Sequence, residues 1–130
     1  MTAAAPDTRP KRILLAEDDD SMRGFLVRAL EKAGYEVVSC ANGRDAIEQV
    51  KPASFSLLLT DIVMPLMDGI ELARRASEVD PSLKIIFITG FAAVTLNNEQ
   101  APLKDSRVLS KPFHLKDLVH EVERVLADAA

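Results

Sequence analysis

A chain of 130 residues can enclose one hydrophobic core and is too short for two, and its 48% apolar and 28% charged residues are ordinary for a globular domain. A net charge of −4, with no clustered Lys/Arg stripe, argues against a non-specific nucleic-acid surface, and no apolar run reaches the ~18 residues that a membrane span requires. The one cysteine, Cys40, excludes an internal disulfide and fits a reducing cytoplasm.

Met1–Lys11 holds two prolines and three consecutive alanines, without periodicity and without the apolar core of a signal peptide. It is expected to be a disordered leader to a domain spanning residues 12–130. From Arg12 onward, apolar runs of strand length alternate with helical periodicity. The first run, Ile13–Ala16, reads as a buried strand and leads straight into Glu17-Asp18-Asp19-Asp20. Like charges crowded this closely raise one another's pKa and cost folding energy unless a cation neutralises them. Four acids at a strand's C-terminal end therefore point to a hard metal ion. A helix N-terminus also favours acids, with Asp20 or Ser21 as the cap. Capping accounts for Asp19 and Asp20, whereas Glu17 and Asp18 are expected still to belong to the strand.

Met22, Phe25, Leu26, Ala29, Leu30 and Ala33 then recur at helical spacing, and Gly34 is placed to end that helix in a left-handed conformation. Glu36–Ser39 reads as the second strand, Asp45–Val50 as the second helix, Ser56–Thr60 as the third strand and Asp68–Glu78 as the third helix. Lys84–Ile88 and Arg107–Leu109 are the fourth and fifth strands. Between them Ala92–Ala101, with Val94, Thr95, Asn97 and Asn98, is a poor helix former closed by Pro102, so a short or mobile fourth helix is expected there. The last helix shows its stripe in Leu115, Leu118, Val119, Val122 and Leu126.

Such alternation implies an α/β fold, a five-stranded parallel sheet with helices on both faces. Ligands of these sheets bind outside the carboxyl ends of the strands. Glu17 and Asp18 end the first strand, Asp61 follows the third, Thr89 the fourth, and Lys111 comes just after the fifth. Together they describe a site for an anion bound to a divalent cation. Asp18 and Asp61 can share Mg²⁺, which prefers six oxygens and keeps several waters. Lys111 offers a positive charge to a phosphate oxygen and Thr89 a short hydroxyl donor. A carboxylate beside a metal and a lysine is suited to accept a phosphoryl group covalently. Seen alone, Asp61 would be a turn or cap residue, Thr89 a β-former at a strand end, and Lys111 a solvated lysine before Pro112. Their joint appearance at successive strand ends is what points to chemistry. His114 and His120, six residues apart and without clustered partners, do not make a metal site on one helix face.

The stretch Leu59-Thr60-Asp61-Ile62-Val63-Met64-Pro65-Leu66-Met67-Asp68-Gly69 resembles the phosphoacceptor loop of bacterial response-regulator receiver domains. Glu17-Asp18, Thr89 and Lys111-Pro112-Phe113 match that family's remaining motifs in order and spacing, from about Arg12 to the C-terminus. The resemblance implies a flavodoxin-like (CheY-like) sheet of order 2-1-3-4-5. It implies Asp61 as phosphoacceptor, and Asp18, Asp61 and the backbone carbonyl of Val63 as Mg²⁺ ligands, with Glu17 acting mostly through water. Thr89 and Lys111 would contact the aspartyl phosphate, and the Lys111–Pro112 peptide would be cis. The phosphate would come from a histidine kinase or a histidine phosphotransfer protein. The domain would catalyse only its own phosphorylation and slower dephosphorylation, with no separate substrate. One departure stands out: Val108 lies three residues before the lysine, where receivers usually carry Tyr or Phe. A β-branched residue has few rotamers and far less area to relocate than a swinging aromatic. Phe91, after Gly90, is either another lever or a plain packing residue.

No output module follows the last helix, so the expected role is binding. The chain would relay phosphate or dock a target in one phosphorylation state, as a monomer or as a weak dimer through the face of the fourth helix, fifth strand and last helix. Ile13–Glu31, Thr89–Val94 and Leu109–Leu115 resemble a subfamily of receivers that act as phosphorylation-controlled adaptors of the ClpXP protease, active when unphosphorylated. That implies ClpX as a partner, and Ala129-Ala130 resembles tags read by that unfoldase, or is a frayed helix end. The alternatives are a relay intermediate and a docking module whose aspartate is never phosphorylated. A dehalogenase-type phosphatase would need a second acid two positions after Asp61, where Val63 stands. A nucleotide-binding enzyme would need a glycine-rich first loop, and Glu17–Ser21 has no glycine.

Overall fold

The computed structural model describes residues 11–90 and 106–127. The expected leader through Pro10, the Phe91 lever, the Ala92–Ala101 segment and Ala129-Ala130 lie outside the described residues. In chain order the elements are β1 (Arg12–Ala16), α1 (Asp20–Lys32), β2 (Glu36–Cys40), α2 (Gly43–Gln49) and β3 (Leu57–Asp61). They continue with α3 (Gly69–Val79), β4 (Lys84–Thr89), β5 (Arg107–Ser110) and α4 (Leu115–Ala127). The strands form one parallel sheet in the order β2-β1-β3-β4-β5, as expected. No described helix is long and apolar enough to cross a membrane.

Side chains alternate across a strand, and both faces of this sheet are covered. Ile13, Leu15, Leu57, Leu59, Ile86 and Ile88 meet Leu26 and Leu30 of α1 and Leu118 and Val122 of α4. Leu14, Leu58, Ile85 and Phe87 meet Ala46 of α2 and Leu72, Ala73 and Ala76 of α3, with Val108 packed against that cluster. The central strand β3 is buried at every position.

The differences from the sequence-based expectations have physical causes. β2, β3, β4 and β5 each run one residue further than their apolar runs, closing on Cys40, Asp61, Thr89 and Ser110. The parallel ladder continues through Asp61↔Ile88 and Thr89↔Ser110, which hydropathy does not register. Asp19, and neither Asp20 nor Ser21, caps α1: its Oδ1 accepts the Met22 N–H at 2.9 Å. Glu17 and Asp18 lie just past β1, although the Glu17 N–H still donates to the Cys40 carbonyl at 3.1 Å. α2 starts at Gly43 because Asn42 caps it, accepting the Asp45 N–H at 2.8 Å. Gly34 takes φ +103° at the end of α1, in the left-handed range only glycine enters freely. Phe25 and Leu115, read as members of buried stripes, are 51% and 37% exposed. They flank a groove of about 590 Å³ between α1 and α4, and the Arg28 guanidinium lies 5.2 Å from the centre of the Phe25 ring.

The rim where the strands begin is held by Asp80, a buried acid at the end of α3. It accepts the Ala53 N–H at 3.1 Å, the Ser82 N–H at 3.1 Å and the Ser82 hydroxyl at 2.7 Å. Hydrogen bonds from Ser82, together with that from Ala53, hold its carboxyl below the usual range against the opposing effect of burial. Asp80→Ala leaves the N–H of Ala53 without this acceptor at a left-handed residue, φ +61°. The expected loss is about 2–3 kcal/mol, read as a lower midpoint in urea with an unchanged slope.

Candidate functional site

Where β1, β3 and β4 end side by side, the chain gathers its acids around one lysine. Glu17 is fully buried, its backbone N–H held by Cys40 and its Oε2 accepting the Asp19 N–H at 3.2 Å. Asp61, the last residue of β3, is 7% exposed. Asp18 is exposed, yet carboxylate oxygens of Glu17, Asp18 and Asp61 all lie within 4.8 Å of one another. The Lys111 Nζ reaches Asp61 Oδ2 at 3.1 Å and Glu17 Oε1 at 3.4 Å. Lys111 is itself tied to the sheet, its backbone N–H donating to the Thr89 carbonyl at 2.7 Å, and the Lys111–Pro112 peptide is cis. Thr89 is buried at the end of β4. Val63 lies two residues past Asp61 in the following loop, its side chain exposed.

Glu17, Asp18, Asp61 and Lys111 are thus brought together from three separate stretches. Further contributors were not singled out by sequence reasoning. Gly69, the first residue of α3, donates its N–H to the Ile62 carbonyl at 2.8 Å, and a Cβ there would collide with the Asp61 carbonyl oxygen. Gly43 acts likewise further from the acids, since its Cβ would strike the Met67 carbonyl in the same loop. Glycine just inside a capped helix start was the available signal, with Asn42 and Asp68 as caps. Arg23 also contributes: its Nη1 donates to the Glu17 carbonyl at 2.9 Å and its Nη2 to Asp20 Oδ1 at 2.6 Å. An arginine one turn into an amphipathic helix carries no mark of that role.

Burial raises the Glu17 carboxyl from 4.5 to about 7; the Asp19 N–H opposes this, the Asp61 charge adds to it and the Lys111 charge subtracts. Burial pulls the Lys111 ammonium down, but the hydrogen bond and charge of Asp61, with Glu17, more than offset it and leave the pKa raised. An acid with a folded pKa above its unfolded one binds more protons folded than unfolded between the two values. Stability from Glu17 therefore falls as pH rises from 4.5 to about 7, by an amount on the order of a few kcal/mol. Thermal melts from pH 5 to pH 8 should show this slope in the wild type, and Glu17→Gln should remove it. Saturating Mg²⁺ should flatten it, because a bound cation favours the ionised carboxylate.

With all three acids ionised, one ammonium leaves the cluster with two negative charges. A hard divalent cation matches that deficit, and an all-oxygen donor set matches its preference. Beside it stands a fixed positive charge suited to an anionic group, which is the chemistry of a phosphorylated carboxylate.

Comparison with known proteins agrees with this geometry. The family model of the response regulator receiver domain matches residues 13–123. The response regulator receiver protein CpdR of Brucella abortus is 66% identical over 119 residues, covering 92% of this chain and 99% of that protein. The chemotaxis protein CheY of Thermotoga maritima is 36% identical over 118 residues, covering 88% of this chain and 97% of that one. Among solved structures, a response regulator receiver protein from Sinorhizobium medicae superposes with a TM-score of 0.82 at 31% identity, covering 93% of this chain and 98% of that one. Sheet order, the acid cluster with its lysine, and a match over most of its length place this chain in the response regulator receiver domain family, as a two-component response regulator.

Proposed function

We propose that Asp61 is the phosphoacceptor of this response regulator and that the acid cluster holds Mg²⁺. The supporting observation is the Lys111 ammonium set between Asp61 and Glu17, with Asp18 completing the cluster. Receivers exchange phosphate with histidine kinases and phosphotransfer proteins. An Asp61 oxygen attacks the phosphorus of a phosphohistidine, the P–N bond breaks, and the imidazole leaves and takes up a proton. Hydrolysis later returns the carboxylate and inorganic phosphate. Mg²⁺, when bound, offsets charge on the transferring phosphoryl group. Asp18, Asp61 and the Val63 carbonyl are the residues to hold it, with Glu17 acting through water. Lys111 pairs with one phosphoryl oxygen and Thr89 donates its hydroxyl to another. The residues from 12 onward form the receiver, working in the cytoplasm.

The output we propose is docking on ClpX by the unphosphorylated form, as an adaptor of ClpXP. The 66% identity to CpdR over nearly the full length of both chains supports it. The test has two stages. Intact mass after incubation with acetyl phosphate should gain one phosphoryl group with Mg²⁺ and none without. Immobilised ClpX should then capture the unmodified chain and release it once phosphorylated. Equal capture of both forms would favour a phosphorylation-independent docking module, and capture of neither a relay role.

A further inference from the structure

Arg23 touches none of the carboxylate oxygens that gather at the strand ends, yet it is bonded to the chain between them. The Glu17 carbonyl that accepts its Nη1 belongs to the peptide joining Glu17 to Asp18. The orientation of that peptide sets where both carboxylates project. The preceding peptide is fixed from the other side by the Glu17 N–H on the Cys40 carbonyl. The backbone N–H of Arg23 closes the turn on the Asp19 carbonyl at 2.8 Å. The Arg23 side chain is 23% exposed and that of its second partner, Asp20, is 87% exposed. An ion pair so open contributes little to stability. The bond to the Glu17 carbonyl is charge-assisted and part-buried, and it holds the backbone between two of the clustered acids.

We propose that Arg23 is a positioning residue that sets the affinity of the Glu17–Asp18–Asp61 cluster for a small divalent cation and its preference for Mg²⁺ over Ca²⁺. The inference rests on the reading of that cluster as a Mg²⁺ site. Charge and geometry demand opposite outcomes when Arg23 is replaced. As a nearby positive charge it competes with the cation, so its loss should tighten binding. As the clasp of the Glu17–Asp18 peptide it keeps the donors in place, so its loss should weaken binding. The loss should fall harder on Mg²⁺, which demands near-octahedral geometry at about 2.1 Å, than on Ca²⁺, which accepts variable coordination.

Titration calorimetry of the full chain with MgCl₂ and with CaCl₂ separates these, using wild type, Arg23→Gln and Arg23→Lys, with a thermal melt of each. The expected result is a Mg²⁺ affinity about tenfold weaker in Arg23→Gln, as for other groups that orient metal ligands from behind. Ca²⁺ affinity should change less, so the Mg²⁺/Ca²⁺ ratio falls. Arg23→Lys, which keeps the charge but loses the two-pronged fork, should also lose Mg²⁺ affinity. Tighter Mg²⁺ binding in Arg23→Gln with Arg23→Lys at the wild-type value would reduce the residue to a charge and overturn the proposal. A lower melting temperature with an unchanged ion ratio would make it a fold element only and overturn it equally. Absence of Mg²⁺ binding by the wild type is a separate result, which overturns the underlying reading and this inference with it.

Discussion

Asp61→Ala is expected to take up no phosphoryl group from acetyl phosphate in the presence of Mg²⁺, and to remain folded. Uptake should vanish because Asp61 is the proposed acceptor, 3.1 Å from the Lys111 ammonium, whereas Glu17, the other acid paired with that lysine, is fully buried. The fold should persist because the variant strands no charge. Lys111 keeps Glu17 as partner at 3.4 Å, and Glu17 loses the Asp61 charge and hydrogen bond, both of which raise its pKa. Breaking a buried pair is severe when it leaves one charge alone; here a second acid remains. Intact mass and a thermal melt on the same sample check both halves. Phosphate appearing on Glu17 or Asp18 of the variant would remove Asp61 from its proposed role.

Gly69→Ala should cost more than a single methyl usually does. Beyond the collision with the Asp61 carbonyl oxygen, the new Cβ would sit 2.9 Å from the Asp61 carbonyl carbon and 3.0 Å from Ile62 Cα. Those neighbours are all backbone and cannot rotate away. They are also locked, Gly69 N–H to the Ile62 carbonyl at 2.8 Å and Ile62 N–H to the Ile88 carbonyl at 3.1 Å. Either the start of α3 or the end of β3 must move, and Asp61 moves with it. Overpacking costs about 1–3 kcal/mol, and the expected value is at the upper end, a fall in Tm of about 10 °C. Phosphate uptake should slow even at temperatures where the variant is fully folded. Gly24→Ala is the control with the opposite sign. That helical position meets only the Arg28 Nη1 at 3.9 Å, so alanine should stabilise by about 1 kcal/mol. A Tm change of the same sign in both variants would contradict the backbone-contact account.

The alternation of strands and helices was legible because buried strands and amphipathic helices differ in hydrophobic period. The strand order came from the resemblance to receivers, and the acids with Lys111 were legible because strand ends concentrate polar chemistry. What escaped the sequence was whatever depends on backbone meeting something distant. The polar last residues of β3 and β4 pair in the ladder despite their hydropathy. Asp19 became the cap of α1 only once the chain's exit from β1 fixed which acid points at the Met22 N–H. Phe25 fits the apolar spacing of α1 as well as Leu26 does, but α4 packs on one side of that stripe and leaves the aromatic in the groove. Gly69 stood at the end of the phosphoacceptor-loop motif with no role, because its constraint is the Asp61 carbonyl and not a ligand.

The carboxylate of Asp80 clasps the loops that feed β3 and β4 at their starts, while Asp61 and Thr89 lie at the finishes of the same two strands. Stability contributed at the Asp80 rim can therefore be altered without touching the acids at the opposite rim. A change of about 1–2 kcal/mol in stability shifts cellular abundance several-fold. Graded substitutions at Asp80 would then act as a thermal dial on signal strength, scaling the number of working molecules with temperature and leaving the response of each one intact.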